Sequence, residues 1–198
     1  MPLMTKGEQT ALAILEAAAQ CIARIGIEKT SITEIAKKAD VSRGLVALYF
    51  PKKSKVFKEV VLYIAMQAYK KIESVDVSNS ARDKTLHVMR ANFEFFLSRP
   101  HYFKCFMLFY YYASIDPDFR KLNTEFNDRA INRFIDLFKL LRPKKSATDI
   151  KRFAEDLHDQ LIGSIEKFFT VNHKLSTAAY ERRAITALEE RLDSFLAR

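Results

Sequence analysis

The four histidines are the first residues to test for chemistry. His87, His101, His158 and His173 stand far apart, with no HExxH run and no i, i+4 pairing that would turn two imidazoles toward one zinc ion. Cys21 and Cys105 are isolated, with no CxxC pair, so a reduced chain is the simplest reading, and Cys21, beside an apolar stripe, reads as a buried small hydrophobe. Asp116 and Asp118 look like paired carboxylates. Asp116 followed by Pro117 is, however, a helix start, where capping explains the first acid and the helix dipole the second. His158 and Glu166 lie two turns apart on one helix, each open to a role as a polar anchor in a pocket or to an ordinary core or surface place. No Gly-rich phosphate loop and no nucleophile with its base assembles. The chain is therefore not expected to be an enzyme, and no cofactor or metal is expected.

What does assemble is basic and apolar, in the stretch Ser31 to Phe57, SITEIAKKADVSRGLVALYFPKKSKVF. Lys52, Lys53 and Lys55 crowd the start of a long helix, where cations oppose the helix dipole but free N–H groups favour phosphate. Upstream, Ser31 and Glu34 have the spacing of a capping box, and Ile32, Ile35, Ala36 and Ala39 share one face of a short helix with Lys37 and Lys38 outside. Asp40 suits a tight turn, Val41 returns to the core, and Ser42 can cap a second helix that turns Val46 and Phe50 inward. Arg43, Leu45, Ala47, Leu48 and Tyr49 are left on or near its outer surface. Helix, tight turn, helix and basic residues is the pattern of a helix-turn-helix DNA reader, with its second helix in the major groove. A packed helical hairpin with a solvated charged rim would also fit.

The residues also carry a family resemblance. Thr33-Glu34-Ile35-Ala36, then Ala39-Asp40-Val41-Ser42-Arg43-Gly44, then Tyr49-Phe50-Pro51 and Lys53 resemble the N-terminal signature of TetR/AcrR-type transcriptional regulators. The match covers about the first quarter of the chain. Two positions depart from it: Asp40 stands where the family usually has Gly, and Ala47 where it usually has a Tyr that supports a DNA backbone contact. The segment GLVALYF is closer to BetI-like members, which have a small residue there. The resemblance implies a DNA-binding regulator, most often a repressor, pairing through its last two long helices.

Composition bounds the rest. The 198 residues are 48% hydrophobic, with only 4 Gly and 5 Pro, which with sustained 3.6-residue periodicity predicts an all-α chain. The expected division is a helix-turn-helix domain over 1–52 and a helical ligand-binding and dimerisation domain over 53–198. A formal charge of +9 favours an anionic partner, and residues 1–75 hold 12 Lys+Arg against 7 Asp+Glu, a net of +5. No basic, apolar leader opens the sequence, and the run Cys105 to Ile115 is too short to span a bilayer, so no membrane partner is expected and the cytoplasm is the expected location.

Helices are expected over about Thr10–Gly26, Lys53–Ile72, Arg82–Leu97 and His101–Ser114, from Pro117 to a break at Arg142-Pro143-Lys144-Lys145, then over Ala147–Val171 and Thr177–Leu196. A polar break over Asp76 to Ser80 precedes the third of these. HYFKCFMLFYYYAS is apolar almost all round, which suits either plain core or a cavity wall. On the cavity reading, Phe93, Phe96, Phe103, Phe106, Met107, Tyr110, Phe134 and Phe138 line a site for an unknown, mainly apolar effector, with His158 as a polar anchor. Ala154, Leu157, Leu161, Ser164 and Phe168, with Ala184, Leu188, Leu192 and Phe195, form heptad-like seams that suit a second copy of the chain or an intrachain hairpin. The expected DNA contacts are Arg43, Leu45, Leu48 and Ala47 to bases, with Gly44 among them. Ser31, Thr33, Ser42, Tyr49, Lys52 and Lys53 are expected at phosphates of a near-palindromic duplex operator read by the homodimer. The alternative is a basic helical small-molecule-binding protein or enzyme with a vestigial reader.

Overall fold

The computed structural model describes residues 5–73, 80–141, 145–172 and 174–197, with the side chains of Lys53 and Ser54 excepted. Among them are nine helices and no strand: α1 Lys6–Lys29, α2 Ile32–Ala39, α3 Arg43–Tyr49, α4 Lys53–Glu73, α5 Ala81–Leu97, α6 Pro100–Ile115, α7 Pro117–Leu141, α8 Ala147–Thr170 and α9 Thr177–Ala197. The expected breaks at 76–79 and 142–144 lie outside the described residues, as does His173. The chain divides into two compact units: Met1–Lys70 with Arg99–Arg120, and Lys71–Ser98 with Lys121–Arg198.

In the first unit α1 starts four residues earlier than its apolar periodicity suggests. Thr5 caps it through a capping box with Glu8, a local signal outside the periodic stretch. At Gly26 the backbone turns to φ 79°, and a short helical turn, Ile27–Lys29, continues beyond the expected stop. The buried face holds Ile14, Leu15, Ala17, Ala18, Ala19, Cys21 and Ile22, and its small residues let α2 and α6 approach closely. By length and composition α1 could cross a membrane. Its packing against α2 and α6 accounts for that apolar character as core.

One carboxylate joins three helices of this unit. Glu16 of α1 accepts hydrogen bonds from Tyr102 of α6, from Tyr63 of α4 at 3.3 Å and from Gln20 at 2.8 Å, while His101 Nε2 lies 3.0 Å from its Oε1. Burial pushes the Glu16 carboxyl up, but the bonds from Tyr102, Gln20 and His101 together outweigh it and hold the carboxyl below its usual range. Cys105 is buried beside it, donates to the Ala19 carbonyl, and is pushed up to about 12 by burial, so it is an inert thiol.

In the second unit α5 buries Leu86, Met89, Phe93 and Phe96 as its period predicts, together with Val88 and Phe95. Arg82 bridges its start to α9, with bonds of 2.9 Å to each Asp193 oxygen and 2.8 Å to Glu189. Phe153 of α8 stacks on Phe195 of α9 with ring centroids 4.0 Å apart.

The burial of the seam residues narrows the face that a dimer could use. Ala154, Leu157, Leu161, Leu188 and Leu192 are all buried within their own chain, so these five side chains cannot be the face that meets a second copy. The repeat marks a helix face that must be covered without saying by what, and here α8 and α9 belong to one packed core. Ser164, Phe168, Ala184 and Phe195 remain half-buried.

Two predictions follow from this packing. Leu188→Ala should lower stability by about 2–5 kcal/mol in urea unfolding, and Leu188→Glu should unfold the chain rather than release a folded monomer. Because the Glu16 carboxyl sits below its unfolded value of 4.5, its contribution to stability is present above about pH 4.5 and lost as pH falls through the folded value. The urea midpoint of wild type should therefore exceed that of Glu16→Gln most above pH 4.5. A gap that stays constant down through that window would rule out the assignment.

Candidate nucleic-acid interface

Local chemistry sets both ends of the short helices. The Ser31 hydroxyl accepts from the Glu34 N–H at 3.1 Å, and Glu34 reaches back to the Ser31 N–H at 3.0 Å. At the far end of α2, Asp40 adopts the left-handed conformation (φ 54°, ψ 47°), the one positive-φ non-glycine among the described residues, and the Val41 N–H returns to the Ala36 carbonyl at 3.0 Å. This is where the resembling family has Gly; a short polar side chain bears the left-handed turn at modest cost. Ser42 then caps α3 by accepting from the Leu45 N–H at 3.1 Å.

These caps orient α3. Val46 and Phe50 are buried, as are Ile35 and Ala36 of α2. Arg43, Gly44, Ala47 and Leu48 are exposed, Leu48 to 77%. Leu45 is half-buried, turned partly toward the core rather than fully outward. A large exposed aliphatic, Leu48, on a seven-residue helix is costly in water, so this face is suited to another surface.

Gly44 carries a further sign. A Cβ built there would meet only Ser42 Oγ at 3.9 Å, so the chain's own packing does not require glycine. A close approach from outside would.

Basic residues flank α3 in the sequence. Lys37 and Lys38 of α2 and Lys52 and Lys55 at the start of α4 are exposed, and the first turn of α4 contains no acid. The Lys53 side chain lies outside the described atoms. Ser31, Thr33 and Ser42 are exposed too. Tyr49 is a correction: its hydroxyl donates to the Gly7 carbonyl at 3.1 Å and ties α3 to the start of α1, so its proton is not free for a phosphate. Sequence reasoning missed this contact because it joins residues 42 apart.

Residues 14–60 match the family of bacterial regulatory proteins of the tetR type. This chain carries the N-terminal domain of the TetR family. The matched segment runs from the buried face of α1 through α2 and α3 into α4. Over almost its whole length the chain has the fold of solved TetR-type regulators. It superposes on a structure described as a transcriptional regulator from Pseudomonas aeruginosa PAO1 with a TM-score of 0.81 and 17% identity, covering 98% of this chain and 93% of that one. A TetR-family regulator from Mesorhizobium loti MAFF303099 gives 0.77 and 23%, covering 96% and 98%. One from Saccharomonospora viridis, solved with choline, gives 0.74 and 18%, covering 91% and 96%. No curated protein matches the chain. The matched family and these structures are described as transcriptional regulators.

The expected effector set is divided between the units. Phe103, Phe106, Met107 and Tyr110 belong to the first unit; Phe93, Phe96, Phe134, Phe138 and His158 belong to the second, where all five are buried.

Gly44→Ala tests the outward face of α3. Because Ala is favoured over Gly in helices, the fold should be unchanged or gain up to about 1 kcal/mol in urea unfolding, while affinity for duplex DNA should fall. Unchanged DNA affinity would show that nothing approaches this position.

Proposed function

We propose that the chain is a dimeric TetR-type repressor that binds a near-palindromic duplex operator and is released by a small, mainly apolar ligand. It acts in the cytoplasm, where the operator lies. The observation that carries this is the outer face of α3. A capped helix after a left-handed turn shows solvent Arg43, Gly44, Ala47 and Leu48 and nothing acidic, beside exposed lysines. The guanidinium of Arg43 can bond a guanine edge, and Ala47 and Leu48 suit thymine methyls. Ser31, Thr33, Ser42, Lys52 and Lys53 serve phosphates, with the N-terminus of α4 adding free N–H groups. The reader domain is residues 1–52, and residues 53–198 supply ligand binding and pairing.

A two-fold dimer places two such readers on successive major grooves, about 34–36 Å apart. Pairing uses the half-buried side chains of α8 and α9, such as Phe168 and Ala184, with exposed Val171 at the end of α8, rather than the covered seam. The relative solved with choline supports a small molecule within this fold.

Anisotropy titrations with duplex DNA from upstream of the protein's own gene test the reading. Arg43→Ala should cost roughly 1–3 kcal/mol and blur one position of the site. Lys52→Ala should weaken all sequences alike and flatten the salt slope by about one ion. Sedimentation should show a dimer at micromolar concentration. Binding without sequence preference, unaltered by either substitution, would overturn the reading.

A further inference from the structure

This inference rests on the ligand-responsive reading and gives that ligand a chemistry. The inward face of α8 is apolar, built from Ile150, Phe153, Ala154, Leu157, Leu161 and Ile165, with one interruption. His158 stands within it at 6% exposure. Its Nδ1 is buried and has no hydrogen-bond partner among the described residues. The nearest acid, exposed Asp159, holds its Oδ1 3.7 Å away, beyond hydrogen-bond reach. Burial pushes the imidazole's pKa down, and Asp159 only partly opposes it, so the ring is neutral at ordinary pH. A second buried nitrogen without a partner, His87 Nε2, lies on α5, which packs on α8.

Such atoms are rare because a buried donor or acceptor left unpaired forfeits its hydrogen bonds to water. Leucine or phenylalanine would fill the same place without that cost. The polar atom therefore points to a partner beyond the described residues.

We propose that His158 Nδ1 is the polar anchor of a small-molecule site in the second unit, which takes an uncharged, mainly apolar compound bearing one hydroxyl group. Nδ1 of a neutral imidazole either donates or accepts according to the tautomer, and a hydroxyl group can meet both. A carboxylate or ammonium would carry an unpaired charge into an apolar face. The same unit buries Met89, Phe93, Phe134 and Phe138, apolar material of the kind that surrounds such a ligand.

The test uses 4-butylphenol and butylbenzene, which share an apolar body and differ in the hydroxyl group, on the full chain without DNA. Calorimetry should show wild type binding the phenol roughly tenfold or more tightly than the hydrocarbon. Spectra of 15N-histidine-labelled protein should show the His158 ring nitrogens shifting as the phenol binds. His158→Phe should bind both compounds alike, and His158→Asn, whose amide can still pair, should keep part of the preference.

The site is overturned if wild type does not bind the phenol, if His158→Phe keeps the full preference, or if the ring nitrogens stay unmoved because an internal water already satisfies them. Operator affinity with and without the phenol separates this proposal from the one beneath it. Phenol binding at His158 that leaves operator affinity unchanged sinks the release mechanism and leaves the site standing. Intact operator binding with no phenol binding sinks the site alone.

Discussion

The reader helices cannot stand without α1. Isolated helices shorter than about 12–15 residues are marginal in water, and α2 and α3 have eight and seven. Their stability comes from burying Ile35, Ala36, Val46 and Phe50, and that requires a long surface held firmly in place. α1 supplies it. Consecutive alanines at 17–19 bring neighbouring backbones close, and Glu16, on the same helix, draws in Tyr63 of α4 and the His101–Tyr102 pair of α6. A part-buried carboxylate with four partners is well placed for this. Losing any one leaves a polar group with fewer bonds, so the helices are held in one arrangement rather than several.

The ends of the reader helices were legible because their signals are local. A capping box lies within four residues, and Ser31–Glu34 and Ser42 behave as their spacing requires. Asp40 was legible as a turn for the same reason, since its left-handed backbone is a property of one residue and its neighbours. Thr5–Glu8 carried an equally local signal, but it lies outside the apolar period that was used to find α1.

What was not legible depends on which surface meets which. The seams in α8 and α9 mark faces that must be covered, but the repeat is the same for an intrachain and an intersubunit partner. Leu157, Leu161, Leu188 and Leu192 turned out to be covered by their own chain. The aromatic α6 posed the same problem: its composition says core, yet only the fold assigns Phe103 and Phe109 to the unit that holds the reader and Phe93 and Phe134 to the other. The bond from Tyr49 to Gly7 is invisible for a related reason, because nothing near either residue announces the other.

The way the reader is built also constrains how it can be regulated. Its helices are capped at their own starts, its turn is set by Asp40, and its core residues lie within residues 14–60 and α6 of the same unit. Melting those caps or that core would oppose the burial that forms the unit. Displacement is the less costly route. In the proposed dimer, two rigid readers that must meet successive major grooves would lose affinity when their spacing shifts, with no bond inside either reader broken. A ligand then needs only to favour the mismatched arrangement. A differential affinity of about 1–3 kcal/mol changes operator binding by roughly 5–150-fold, and by reciprocity the operator must weaken ligand binding by the same factor.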